Sequence, residues 1–190
     1  MKRRPAFRLA SLLAGLLPGA TLAMDGATLP LPPMPISQAL ALARDQGLVP
    51  EAPQALSDGL LLHVALPVAD RCSPAGAWLL CPGLRMASAG AAPWAPLVAA
   101  WWTRDLAEPT PLAQLRAEAI GRLGPPAVET GESDSRRGLD LTLHRLAWHL
   151  PGPPPLLLEV RYVLEDDPQP APGAAPLARR VAWSAVPVPR

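Results

Sequence analysis

The chain has 190 residues, 49% of them apolar, enough for one buried core, and its 17 basic against 16 acidic side chains leave no basic excess of the kind nucleic-acid binding draws on. Its one lysine is Lys2 and it has no asparagine, which excludes a lysine Schiff base or P-loop in the body of the chain and any N-glycosylation sequon. The 27 prolines exceed the usual share of about 5% and cluster at the ends of patterned segments, where they act as punctuation.

Residues 1–23 read as a cleaved secretory signal peptide. Lys2, Arg3, Arg4 and Arg8 form a basic start, and Leu9 to Leu17 carries no charge. Pro18-Gly19 interrupts the run, and Thr21-Leu22-Ala23 ends it on small residues, so cleavage is expected after Ala23. The apolar stretch is about 15 residues long, short of the roughly 20 that span a bilayer. Arg3-Arg4 is a twin arginine, but Pro5 and Ala6 part it from Phe7, which weighs against the folded-export route. Removing the leader takes 17 basic residues to 13 against 16 acidic, a net of −3 on a chain whose remaining cations are all arginine. The expected location is periplasmic or secreted, with no transmembrane segment in the mature chain. Scarce Lys, Asn, Ile, Phe and Tyr beside abundant Ala, Pro, Arg and Leu point to GC-biased coding in a bacterium.

Residues 24–35 include Thr-Leu-Pro-Leu-Pro-Pro-Met-Pro, an extended proline-rich arm. Residues 36–190 are expected to form a single domain. Ser37 to Gln46 predicts a first helix, with Ser37 as cap, Leu40 and Ala43 on one side and Gly47 as the stop. Leu60, Leu62, Val64 and Leu66 alternate as a strand, and Ala77 to Cys81 is its expected partner. Ser88 to Pro93 reads as a small-residue loop. Leu97, Val98, Trp101, Trp102 and Leu106 recur at helical spacing, predicting a second helix over 96–106. Thr110-Pro111 starts a third, lined by Leu112, Leu115, Ala119 and Leu123 and ended by Gly124-Pro125.

Glu129 to Gly138 is polar and reads as an exposed loop. Leu139, Leu141 and Leu143 then alternate, and Leu146, Trp148 and Leu150 alternate in the opposite phase, which predicts a β-bulge near His144-Arg145. Leu156, Leu158, Val160, Tyr162 and Leu164 mark the clearest strand, and Leu177, Val181, Trp183 and Ala185 a closing one. The expected fold is α+β: an antiparallel sheet with a C-terminal three-strand meander, and two or three helices packed on one face.

Cys72 and Cys81 are the only cysteines. In an oxidising compartment an even pair implies a disulfide, and the spacing lacks the Cys-x-x-Cys of a redox centre. Such a bridge closes a loop of about 10 residues, worth roughly 2.7 kcal/mol on the chain-entropy account.

No catalytic residue, metal site or cofactor is assigned. Ser57, Asp58 and His63 lie close in sequence and define the rival expectation, an exported hydrolase, although Ser57-Asp58-Gly59 also suits a plain turn and no Gly-x-Ser-x-Gly is present. His144 and His149 fit no zinc spacing. The pairs Asp166-Asp167 and Glu132/Asp134 sit in polar segments and carry no specific glycosidase signal. Trp94, Trp101 and Trp102 form the densest aromatic group and are the interface candidates, with a tryptophan-lined groove for a small ligand or sugar as a further reading. The leading expectation is an exported, non-catalytic accessory or binding protein with a protein partner in the cell envelope.

Overall fold

The structure is a computed structural model that describes residues 21–24, 27–68, 81–136, 139–165 and 174–188. The described residues open with a hairpin, β1 (Thr21–Met24) and β2 (Ala27–Pro30), followed by helix α1 (Ile36–Asp45). Strands β3 (Leu48–Pro50), β4 (Gln54–Ala55), β5 (Leu61–Pro67), β6 (Gly83–Ser88) and β7 (Leu97–Pro111) come next. Helix α2 (Leu112–Leu123) leads to β8 (Val128–Arg136), β9 (Leu139–Leu150), β10 (Leu156–Leu164) and β11 (Leu177–Pro187).

The expected α+β arrangement does not hold. The protein is mostly one nine-stranded antiparallel sheet in the order β3-β5-β6-β7-β11-β10-β9-β8, with β4 also paired to β5, and the described residues hold two helices. The expected C-terminal strands exist, but as three of the nine strands of that sheet. After β7, α2 carries the chain to the far edge, and β8 to β11 step back until β11 pairs with β7.

The helix expected over 96–106 is therefore strand from Leu97 onward, with Pro96 in an isolated bridge to Pro35. The apolar run misleads because β7 is covered on both faces, and a strand buried on both sides loses its alternation. Cross-strand register shows the two faces directly. Ala65, Leu84, Trp102, Trp183, Val160 and Leu146 form one row across six strands. One residue along each strand, Val64, Arg85, Trp101, Ser184, Glu159 and Ala147 form the row on the other face.

The first face carries the main core. The helices contribute Ile36, Ala39, Ala43, Leu115 and Ala119, and the proline-rich segment contributes Leu29, Leu31 and Met34, each at most 5% exposed. Trp148 and Trp183 stack there at 6.5 Å between ring centres, a geometry worth about 0.5–1.5 kcal/mol beyond its buried area. The second face buries a smaller cluster, Leu141, Leu143, Val163 and Ala182.

That second cluster removes the expected β-bulge. Pairing of β9 with β10 runs unbroken from Val163↔Leu143 to Leu156↔Leu150. Leu141 and Leu143 face one core, Leu146 and Trp148 the other, and the phase change records a change of buried face. The expected loop over 129–138 is likewise corrected: residues 128–136 are the edge strand β8, in register with β9. An edge strand flanked by ion pairs has no need of an apolar face. The partner of β5 is β6, residues 83–88; residues 77–80 of the expected partner lie outside the described residues.

Both helices are fastened through their termini. The amides of Ile36 and Ser37 donate to the carbonyls of Ala95 and Pro93, satisfying first-turn donors without the expected Ser37 cap. Gly47, at φ 75°, ends α1 in the left-handed region as its sequence position predicts. The Gln46 amide clasps Thr28, accepting from its N–H at 2.9 Å and donating to its carbonyl at 3.0 Å. Helix α2 is tied to the sheet by Tyr162 Oη to Leu115 O and by Trp148 Nε1 to Gly124 O.

Candidate functional site

Alternation along β7 sets the site. Residues two apart on a strand share a face, so Trp102 and Arg104 project together, and Trp101 projects opposite. The Arg104 guanidinium lies over the Trp102 ring, 5.6 Å from its centre, an attraction of about 0.5–1 kcal/mol at a partly exposed site. Beside this pair an open cleft of about 430 Å³ is lined by Asp45, Leu48, Pro67, Pro82, Trp102 and Arg104. It sits where the C-terminal end of α1 and the adjoining ends of β5 and β6 meet β7. A second cleft of about 380 Å³ continues on the α2 side of Arg104, lined by Leu106, Thr110, Gln114 and Glu118 among others. Arg104 borders both. Its Nε is buried and has no hydrogen-bond partner.

The three tryptophans named from the sequence separate. Trp102 is 6% exposed, so it forms a wall of the cleft and its ring is not an open stacking platform. Trp101 is half-buried on the opposite face, between Arg85 and Ser184. Trp94 is 78% exposed on the turn between β6 and β7. That turn is fixed by Ala95 N to Ala92 O, Ala89 N to Pro96 O, and the α1 amides already named.

The hydrolase constellation is not assembled. Ser57 and Asp58 are exposed in the turn before β5, and the Asp58 carboxylate accepts from the Leu60 amide at 3.2 Å. His63 is buried and meets Ser88 instead, Nε2 to Oγ at 2.8 Å. The Ser88 hydroxyl donates to the Gly90 carbonyl at 2.8 Å. With that proton committed, His63 must be the donor, the reverse of what a nucleophilic serine requires. Both side chains are buried, at 6% and 0% exposure, so no substrate reaches them.

Charged groups elsewhere fasten the sheet. Arg116 grips Glu129 in a two-point ion pair at 2.6 and 2.9 Å, and His144 Nε2 reaches the same carboxylate at 3.0 Å. The Arg116 guanidinium, by hydrogen bond first, holds the Glu129 carboxyl below the usual carboxylate range. On the second face Glu159 accepts from both Arg145 and Arg161. Arg85, 5% exposed, donates to the Cys81 carbonyl, and burial pulls its pKa down while the nearby Glu51 charge offsets part of that. His144 and His149 lie on opposite faces of β9, and among the described residues no three His, Cys, Asp or Glu side chains converge as a metal site. Glu132 lies 3.5 Å from Arg145; Asp166-Asp167 lies outside the described residues.

Cys81 is buried just before β6 and is not a free thiol; Cys72 lies outside the described residues. Among the described residues no helix is long and apolar enough to cross a membrane.

Arg104, Ser88 and the Arg145–Glu159–Arg161 group were not singled out from the sequence. Trp-x-Arg would have marked Arg104 had the segment been read as a strand, because a helix puts positions 102 and 104 on different sides.

No family model matches the chain, and neither the curated proteins nor the solved structures contain a match to it.

Proposed function

We propose that the chain is an exported, non-catalytic binding protein of the cell envelope, and that its ligand occupies the cleft beside Trp102 and Arg104. One observation carries the reading: a half-buried guanidinium, held in place by an aromatic ring, stands unpartnered at the wall of a cleft whose volume falls in the range of small-molecule sites. Apolar walls from Leu48, Pro67 and Pro82 supply area, and a few fixed polar groups supply orientation. Export rests on the leader pattern of residues 1–23; cleavage after Ala23 removes three of the four residues of β1 and leaves β2 without that partner. The bound state of Cys81 supports a Cys72–Cys81 cystine, which suits an oxidising compartment.

A second reading is favoured by Trp94. A large aromatic side chain, 78% exposed on a turn held by backbone hydrogen bonds, is preorganised as an anchor for an envelope protein partner.

The test is a titration of the mature protein, followed by NMR, with octanoate, octanol and octylamine, three probes of one chain length. The expected result is shift changes at the Trp102 indole and Leu48 methyls with at least one probe. Silence at both positions with all three would remove the cleft as a binding site. Mass spectrometry of exported material should begin at Met24, and alkylation without reductant should label neither cysteine.

A further inference from the structure

The Arg104 guanidinium is the feature nothing within the fold accounts for. Arg116, Arg122, Arg145, Arg161 and Arg180 each hold a carboxylate, and Arg85 holds a backbone carbonyl. Arg44 and Arg179 are solvent-exposed. Among the described residues, Arg104 is the one partly buried arginine that has neither ion pair nor hydrogen bond; its Nε is withdrawn from solvent and its two terminal nitrogens are the donors open to the cleft. Trp102 biases its orientation, which lowers the side-chain entropy still to be lost when an acceptor arrives.

We infer that the cleft takes a monoanionic carboxylate bearing an apolar chain, with the Arg104 fork as the headgroup site. This rests on the binding reading above and names its ligand class. A planar guanidinium offers parallel N–H donors that match the two oxygens of a carboxylate. The remaining charges limit the ligand to one negative group. Asp45 lines the same cleft and Glu108 the adjoining one, while Glu118 is committed to Arg122 at 2.5 Å. A doubly charged headgroup would meet like charge on both sides of Arg104. Leu48, Pro67 and Pro82 offer the chain an apolar wall without competing donors.

The experiment compares the same three probes on the full mature protein and on two variants. Octanoate should bind more tightly than octanol or octylamine, and should weaken with added salt while octanol does not. Arg104→Met should weaken octanoate roughly tenfold or more and leave octanol within about twofold. Asp45→Asn, at an exposed position clear of the core, should tighten octanoate; this arm stands even if Arg104→Met unfolds. Equal affinity for octanoate and octanol in the parent protein, unchanged by either substitution, would overturn the carboxylate assignment and leave the binding reading intact. Preference for octylamine would overturn it too, with the acidic residues then setting the choice. Binding of none of the three would remove both.

Discussion

His63 gives its Nε2 proton to Ser88, 2.8 Å away, and Ser88 passes its own to the Gly90 carbonyl. The chain of donors ends on backbone, so it fixes β5 to the turn after β6 and leaves no proton to withdraw. Ser88→Ala strips a buried imidazole N–H of its acceptor and should cost about 1–3 kcal/mol. Ser57→Ala, in an exposed turn, should stay within about 0.5 kcal/mol. Urea denaturation of the two variants checks the contrast; equal losses would contradict the buried hydrogen bond.

The same histidine gives a pH dependence of known sign. Burial lowers the His63 pKa from 6.5, so protonation is easier in the unfolded chain. Its contribution is complete above about pH 6.5 and is lost as pH falls from there through the lower folded-state value. His63→Gln should remove that part of the acid-side decline in the urea midpoint. An unchanged slope between the two proteins would show that His63 is not its source.

Glu159 holds two guanidinium groups on a face where it is itself only 8% exposed. Glu159→Ala removes the counter-charge that Arg145 and Arg161 share, while Glu132 still lies 3.5 Å from Arg145. Both arginines are about a fifth exposed, so the expected loss is about 1.5–3 kcal/mol, the range for hydrogen bonds to a charged group. Arg145→Met combined with Glu159→Ala should cost less than the sum of the two single changes, because each single change already removes the Arg145–Glu159 contact. Additive losses in a denaturation cycle would mean the groups act independently.

Half-buried elements were the legible ones. Helices α1 and α2 show one apolar side because water lies against the other, and β10 alternates because its second face holds the charged Glu159 and Arg161 between apolar neighbours. Strand β7 hides its period because Leu97 and Ala100 face one core while Ala99 and Thr103 are buried on the other side. Strand β6 is buried at all six positions, yet Gly-Leu-Arg-Met-Ala-Ser carries no period and an arginine in its middle. Strand β8 reads as a loop because Glu129 and Glu132 are spent on cations from α2 and β9, a pairing no local pattern shows. The site suffered in the same way. Trp102 was visible as an aromatic residue, but its relation to Arg104 depends on strand geometry. The histidine was visible, but its serine lies 25 residues away, not six.

Glu129 should titrate below its ordinary range for a reason that can be removed. The Arg116 fork is the largest cause, with His144 adding a hydrogen bond, against a smaller opposing effect of burial. Folding stability from this carboxylate is present above about pH 4.5 and lost as pH falls through the lowered folded value. Carboxyl-carbon NMR should find the titration of Glu129 moved upward in Arg116→Ala. The difference should shrink with added salt because both groups meet solvent. A titration unmoved by the substitution would show that the fork does not hold the charge.

Two glycines should respond to alanine with opposite sign. Gly83 begins β6 at φ 137°, and an added Cβ would sit 2.7 Å from a Leu66 methyl and 2.8 Å from the Ala65 carbonyl oxygen. The methyl could swing aside, but the carbonyl belongs to the β5 backbone and the angle disfavours any side chain. Gly83→Ala should therefore cost more than the roughly 1 kcal/mol typical of a core change. Because Gly83 borders the main cleft, the substitution should also disturb probe binding there. Gly121 lies inside α2 at ordinary helical angles with nothing within 4 Å of an added Cβ. Gly121→Ala should raise stability by about 0.8–1 kcal/mol, the helix-propensity difference, without touching the cleft. Thermal unfolding separates the cases, and a stabilised Gly83→Ala would mean that β5 and β6 do not approach as closely as their register places them.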